Sequence, residues 1–268
     1  MADSDAPPRR QFTKMDFAPA SLHSAKGKEG CLRWGLGDLK VARFRYSGPF
    51  SDELAPGLVE ELLADAGVLA DVGAHCAVSS PELHKVVALK TTEVSMKLFD
   101  GLRGPVVGEA GGVRQCLEKN VGGRPADDDL RKYVLRAYAA DAEADLGLAA
   151  KEDDLDFDDE TPLEAAIGAS DRRQLLYRLF ALLNVGGAVC QHDLQIEPYL
   201  QTAKAMYRDL VTVYRKTADG EVAVSTRAFQ RYDVGVHPRA QFCFVLLEPA
   251  PRRTATILSL DAAKAHWW

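Results

Sequence analysis

Short alternating segments in the last third of the chain most constrain its fold. Residues 211–216 and 221–229 alternate and are rich in β-branched side chains, and Asp219-Gly220 lies between them. This dipeptide tolerates the positive φ of a tight turn, so the pair predicts a β-hairpin. Two further segments of the same kind follow at 241–248 and 254–260. Together they predict an antiparallel meander.

Helices precede these strands. Residues 175–183 carry a strong apolar face at helical spacing, and Gly186-Gly187 supplies a left-handed stop. Pro198 suits the first turn of a second helix, which leads into the strand at 211. Helices followed by consecutive strands favour α+β over alternating βαβ units. We therefore predict a single globular α+β domain with a C-terminal antiparallel β-meander packed with several α-helices.

The boundaries of helices and strands are less clear in the first half of the chain. Residues 39–46 alternate imperfectly, which predicts an edge or solvent-facing strand, and residues 84–92 predict another strand. Helices are predicted from Ser51 to about Ala66, with a stop at Gly67, and from Ala126 to about Ala144.

Two polar stretches define the predicted domain limits. Residues 1–20 are polar and contain proline, so a disordered N-terminal tail is expected there. Residues 21–268 form the single domain, with an acidic loop near 140–160. Within that loop, residues 151–160 carry seven acids and one lysine, and like charges this close favour a solvated loop.

Composition excludes several classes of protein. The net charge of −6 and pI near 5.6 argue against a nucleic-acid binder, since basic residues such as Arg252-Arg253 look scattered. Five widely spaced cysteines without a CxxC motif suit reduced thiols. The sequence shows no secretory h-region and no apolar run long enough to span a bilayer. We expect a cytoplasmic protein with no membrane contact.

Motifs for catalysis are weak throughout. His75-Cys76 and Cys190 with His192 offer zinc ligands, but adjacent side chains rarely both turn inward, and surface histidines explain them as well. Cys190 lacks a cysteine-protease signature, and its position after Val189 favours burial. The glycine-rich stretch 108–112 matches neither a P-loop nor a dinucleotide fingerprint. We predict no catalytic residue, no metal and no cofactor.

The central segment resembles the core of the cilia- and flagella-associated protein 300 family. The similarity lies in a hydrophobic helix that runs into GGA-x-CQ, then PYL-x-T, then Y-x-DLV-x-V. In this chain those elements begin at Gly186, Cys190, Pro198, Thr202 and Tyr207. Weaker similarity extends from about residue 40 onward, including Glu248-Pro249 with Arg252-Arg253. Residues 140–160 look like an insertion relative to the family.

The resemblance implies a non-enzymatic protein of motile cilia that acts in assembly or transport of outer and inner dynein arms. It further implies residence in the cytoplasm and in the ciliary axoneme. The implied partners are preassembly factors of the Kintoun type and the intraflagellar transport machinery.

The loop between the two helices of the central segment is the predicted contact surface. We expect Gln191, Asp193, Pro198 and Tyr199 to touch a partner, although Pro198 and Tyr199 also serve simply to fix the helix start. The alternative hypothesis is a small-ligand or enzymatic domain, binding a nucleotide or metal, in the same pathway. It requires Gln191, His192 and Asp193 to converge in one pocket.

Overall fold

A computed structural model describes residues 10–77, 84–114, 120–121, 124–125, 128–147, 166–186, 193–215, 222–233 and 241–261. The strands are β1 Phe12–Met15, β2 Lys40–Tyr46, β3 His84–Leu89, β4 Asn120–Val121, β5 Arg124–Pro125, β6 Val213–Arg215, β7 Val222–Val224, β8 Arg227–Asp233, β9 Gln241–Glu248 and β10 Thr254–Asp261. The helices are α1 Ala20–His23, α2 Ala25–Arg33, α3 Ala55–Ala64, α4 Ala66–Val72, α5 Asp129–Leu146, α6 Ala169–Arg172, α7 Leu175–Val185 and α8 Glu197–Leu210. Short 3-10 helices cover Ala74–Cys76 and Met96–Leu102.

A six-stranded antiparallel sheet organises the fold, in the order β1-β2-β10-β9-β8-β3. The consecutive neighbours β8, β9 and β10 confirm the predicted meander. The separate pair β6–β7 places Val213 opposite Val224, so the two segments pair, and Asp219-Gly220 lies outside the described residues. The predicted strand 221–229 is divided between β7 and β8. The α+β prediction is confirmed.

The position of β2 corrects an expectation. We predicted an edge or solvent-facing strand, and the edge position is wrong, because β2 lies between β1 and β10 and pairs with both, although Arg45 on one of its faces is exposed. Its alternation is regular after all, because Ala42, Phe44 and Tyr46 are buried on one face. The intervening arginines, Arg43 and Arg45, occupy the opposite face. The sequence pattern looked imperfect because small Ala42 was not counted among the apolar positions.

The predicted N-terminal tail is also wrong in part. Residues 12–15 form β1, which adds to the edge of β2 with Phe12 opposite Tyr46 and Met15 opposite Arg43. Pairing with β2 supplies hydrogen-bond partners for the backbone N–H and C=O groups of this segment, which has no core of its own. Residues 1–9 lie outside the described part of the chain, as do the acidic residues 151–160 and the terminal Trp267-Trp268.

Helices cover both faces of the sheet. On the first face, α3 and α4 pack Leu58, Leu62 and Val72 against Phe44 and Ile257. The Ser51 hydroxyl accepts from the Leu54 amide as a cap does, but residues 52–54 form a turn and α3 begins at Ala55. Asp65 then breaks the helix and caps α4, so Gly67 lies inside a helix instead of ending one.

The second face carries the larger core. α7 lies within it and has no exposed residue, and α5 and α8 pack beside it. Gly186 at φ 62° ends α7 as predicted, and Pro198 stands in the first turn of α8 as predicted. α5 begins three residues later than Ala126, because the Asp128 carboxylate caps it by accepting from the Arg131 amide. This face of the sheet is not fully covered, and it is open at the corner formed by β2 and the turn that precedes β10.

Candidate functional site

The loop before α8 is tied to α2 by a compact polar contact. The Asp193 carboxylate accepts from the Trp34 indole N–H at 2.7 Å and pairs with the Arg33 guanidinium at 2.9 Å. The Asp193 backbone N–H donates to the Tyr199 hydroxyl at 2.9 Å. The Tyr199 ring stacks on Trp34 with centroids 5.1 Å apart. These contacts fix where α8 begins relative to α2.

The four predicted contact residues therefore differ in how accessible they are to a partner. Tyr199 is only 2% exposed, so its side chain serves the helix start, and a partner reaches it only if the loop opens. Asp193 and Pro198 are half-buried, and Gln191 lies outside the described residues. The partner contact at these four positions stays a prediction. The one described large apolar side chain that this loop exposes is Leu194, at 69%.

The same geometry gives little support to the ligand-binding alternative. Its three side chains are Gln191, His192 and Asp193, and the first two lie outside the described residues. The Asp193 carboxylate is already bonded to Trp34 and Arg33. That carboxylate therefore stabilises the loop.

The proposed zinc ligands near residue 75 have a different environment from the one expected. The His75 side chain is 9% exposed, so the expectation of a surface histidine is wrong there. Cys76 is fully buried, and hydrogen bonding from Cys243 and His75 lowers its pKa against the effect of burial. Within the described residues, no three His, Cys, Asp or Glu side chains are grouped to hold a metal ion.

The open corner of the second sheet face gathers arginines that are distant in sequence. Arg43 and Arg45 point to this face from β2, opposite Thr256 and Thr254 of β10. The turn that precedes β10 adds Arg252 and Arg253, and Met15 closes the β1 side. We call this surface the arginine groove; its volume is about 620 Å³, within the range of ligand pockets.

Arg43 is held rigidly at the floor of the arginine groove. Its Nε donates to the Thr256 hydroxyl at 2.8 Å, and its guanidinium lies 3.4 Å from the centre of the Phe17 ring. Burial lowers the pKa of Arg43, Glu248 raises it and the like charge of Arg252 lowers it, with a net lowering. Arg43 is thus a cation fixed in place by a hydroxyl and an aromatic ring.

The other three arginines line the rim. Arg45, Arg252 and Arg253 are exposed, and Arg252 donates to the Thr212 hydroxyl at 2.8 Å. Arg253 adopts φ 47°, a left-handed conformation that is uncommon for a residue other than glycine. The nearby Glu248 is 6% exposed and accepts from the Ser225 and Thr226 hydroxyls, so it is turned away from solvent.

None of the four arginines forms an ion pair in the part of the chain that the structure describes. Other described arginines do pair, as in Arg227–Asp52 and Arg172–Asp141. Sequence reasoning missed this cluster because it considered the basic residues scattered. The available signal was the two-residue spacing of Arg43 and Arg45, which puts both on one strand face.

Comparisons with known proteins match nearly the whole chain. A sequence model of the family described as Cilia- and flagella-associated protein 300 matches residues 9–144 and 157–260. The chain belongs to this family. A protein of that name from Chlamydomonas reinhardtii is 27% identical over 90% of this chain and 96% of its own length. Another, from Paramecium tetraurelia, is 25% identical over 78% of this chain and 75% of its own length.

Membership in the cilia- and flagella-associated protein 300 family covers both parts of the arginine groove. β2 falls in the first matched range and the 251–254 turn in the second. The unmatched residues 145–156 fall in the region 140–160, where the sequence departs from the family pattern. No solved structure matches the chain. Among the described residues, none of the helices is long and apolar enough to cross a membrane.

Proposed function

We propose that this chain is a non-catalytic protein that acts in assembly or transport of the outer and inner axonemal dynein arms, and hence in ciliary motility. The observation that carries the proposal is the family match over residues 9–144 and 157–260. A match that spans both sheet faces and the central helix concerns the whole fold, not a single shared motif. The relatives' name supplies the ciliary context, and the step in arm assembly is our inference.

The partners follow from that role. We propose that the chain binds dynein preassembly factors of the Kintoun type in the cytoplasm and reaches the axoneme with the intraflagellar transport machinery. Support comes from two surfaces an adaptor would use. One is the arginine groove, and the other lies at the Arg33–Asp193 ion pair, where the adjacent residues in sequence, Leu32 and Leu194, have exposed side chains.

Deletion of the gene in a flagellate tests the role directly. We expect flagella of near-normal length that beat weakly or not at all, with outer and inner arms missing in cross-sections by electron microscopy. Re-expression of the intact chain restores the arms. A deletion strain whose arms are complete contradicts the proposal, whatever its swimming speed.

Affinity purification from separated cytoplasm and flagella tests the partners. We expect preassembly factors in the cytoplasmic fraction and transport proteins in the flagellar fraction, by mass spectrometry. Recovery of the chain with neither set from both fractions contradicts the partner assignment. A thermal-shift series with nucleotides and divalent metals provides the check on a non-catalytic role, and a specific, saturable stabilisation would argue for the ligand-binding alternative.

A further inference from the structure

We propose that the arginine groove binds an extended acidic segment of a partner protein, in which acidic side chains occupy every second position. The groove is lined by Arg43, Arg45, Arg252 and Arg253. This inference deepens the proposed function, because it gives the chemistry of the partner that an assembly protein would hold. It depends on that function only for the partner's cellular role, since the binding itself is a property of the isolated chain.

The spacing of the arginines favours a peptide in strand conformation. Arg43 and Arg45 are two residues apart on β2, so their Cα atoms are about 6.6 Å apart along the strand. An extended peptide presents every second side chain to one side at the same interval. Carboxylates at alternate positions of such a peptide therefore meet Arg43 and Arg45 in register. Arg252 and Arg253 then face the peptide from the turn.

The groove is prepared for anions before any partner arrives. Arg43 is fixed by Thr256 and by the Phe17 ring, so little side-chain entropy is lost when a carboxylate binds to it. Planar guanidinium groups match carboxylates in two parallel hydrogen bonds. No described acidic side chain forms an ion pair with these arginines, so binding displaces no existing salt bridge.

The charge of the rest of the chain favours a short peptide over a nucleic acid. The chain has 33 basic and 39 acidic residues, so without these four arginines the remainder carries a net charge of −10. A nucleic acid is a long polyanion that extends beyond one groove and is repelled by such a surface. A peptide segment places its carboxylates within the groove and leaves the rest of its length free.

The test uses the full-length chain and two labelled peptides of identical composition. Each has ten residues, four Glu and six Thr; one carries Glu at every second position, and the other at every third. The second pattern turns successive Glu side chains to opposite sides of an extended peptide. Fluorescence anisotropy gives the dissociation constant at low and at physiological ionic strength. A single-stranded oligonucleotide serves as the polyanion probe.

Two double variants carry the comparison. Arg45→Gln with Arg253→Asn removes two groove charges, and Asn accepts the positive φ at position 253. Neither the Arg45 nor the Arg253 side chain has a described hydrogen bond or ion pair, so we expect this double variant to fold. Lys204→Gln with Arg208→Gln, on the exposed face of α8, removes the same charge elsewhere. Far-UV circular dichroism and urea midpoints verify that each variant is folded.

We expect the alternating peptide to bind about tenfold more weakly to the groove variant than to the wild type, the equivalent of about 1.4 kcal/mol. The α8 variant should bind it within about twofold of wild type, and the every-third peptide should bind weakly to all three proteins. Equal binding of both peptides refutes the spacing argument. Equal losses in both variants show that only net charge matters, and tight oligonucleotide binding lost in the groove variant would identify the wrong class of partner.

Failure of this proposal is separable from failure of the proposed function. If a deletion strain lacks dynein arms but peptide binding is the same in the wild-type and groove variants, the assembly role stands and the groove assignment falls. If the groove binds as expected while the deletion strain has complete arms, the reverse holds. Expression of the groove variant in the deletion strain tests whether peptide binding contributes to arm assembly. We expect fewer dynein arms than with the α8 variant at equal protein level.

Discussion

Asp141 is a single buried carboxylate shared by two arginines from different helices. It lies on α5, accepts three hydrogen bonds of 2.8–3.2 Å from the Arg172 guanidinium of α6, and pairs with Arg178 of α7 at 3.2 Å. The Arg178 side chain is fully buried, with its guanidinium 5.2 Å from the centre of the Tyr138 ring. No other described carboxylate pairs with Arg178.

Replacement of Asp141 by Asn therefore leaves a buried cation without its counter-charge. Breaking a buried pair by removing one partner costs about 3–5 kcal/mol. Asn keeps the shape and one acceptor oxygen, so we expect a loss of about 3 kcal/mol in the free energy of unfolding. Arg178→Met removes the cation itself and leaves Asp141 with Arg172. We expect that change to lower the free energy of unfolding by about 1 kcal/mol or less. The loss in the double variant should be smaller than the sum of the two single losses by at least about 1.5 kcal/mol.

Urea unfolding followed by far-UV circular dichroism measures these differences. The matched control is Asp52→Asn, which breaks the exposed Asp52–Arg227 pair, whose side chains are 67% and 41% exposed. We expect a loss below about 1 kcal/mol there. Strict additivity of Asp141→Asn and Arg178→Met, or a loss at Asp141 no larger than at Asp52, refutes the argument that burial makes the shared carboxylate important.

Three further predictions concern stability. Tyr199→Ala removes a buried ring and should cost about 3–5 kcal/mol, whereas Tyr199→Phe should cost about 1–2 kcal/mol; selective loss of partner binding in a fully stable Tyr199→Ala protein would show that the residue is a contact. Burial raises the pKa of Tyr133 to about 12, so the folded chain holds protons that the unfolded chain releases above about pH 10. Each such tyrosine lowers the free energy of unfolding by up to about 1.4 kcal/mol per pH unit from there, and a constant urea midpoint up to about pH 11 would contradict this. Gly101→Ala puts a methyl group 1.9 Å from the Ala166 carbonyl oxygen and should destabilise by about 1–3 kcal/mol, whereas Gly57→Ala, with open space in α3, should be neutral or stabilising by thermal unfolding.

Features encoded by neighbours in the chain were predictable. The stop at Gly186, the proline in the first turn of α8 and the strands β8, β9 and β10 all follow from local backbone preference and side-chain periodicity. The strongest part of the family resemblance also lies in one continuous segment. These signals survive because tertiary packing reinforces the local preference at those positions.

Features that depend on a distant partner were not predictable. The sequence predicts a tail where β1 forms, because four residues with polar neighbours carry no strand signal until β2 lies beside them. Tyr199 looked like an exposed loop residue, but stacking on Trp34 of a preceding segment buries it. Shared carboxylates such as Asp141 are likewise invisible in a chain with many acids, because only geometry shows which one is buried between two arginines.

Local sequence patterns were sufficient to predict the α+β class, the C-terminal meander, the ends of the central helices and the family. The interior position of β2 became evident only from the folded chain, as did the approach of Arg43 and Arg45 to Arg252 and Arg253 at an open corner of the sheet. The two kinds of feature differ in the sequence distance over which they arise. Periodicity and turn chemistry act over a few residues, whereas the arginine groove arises from strand pairing between residues some two hundred positions apart.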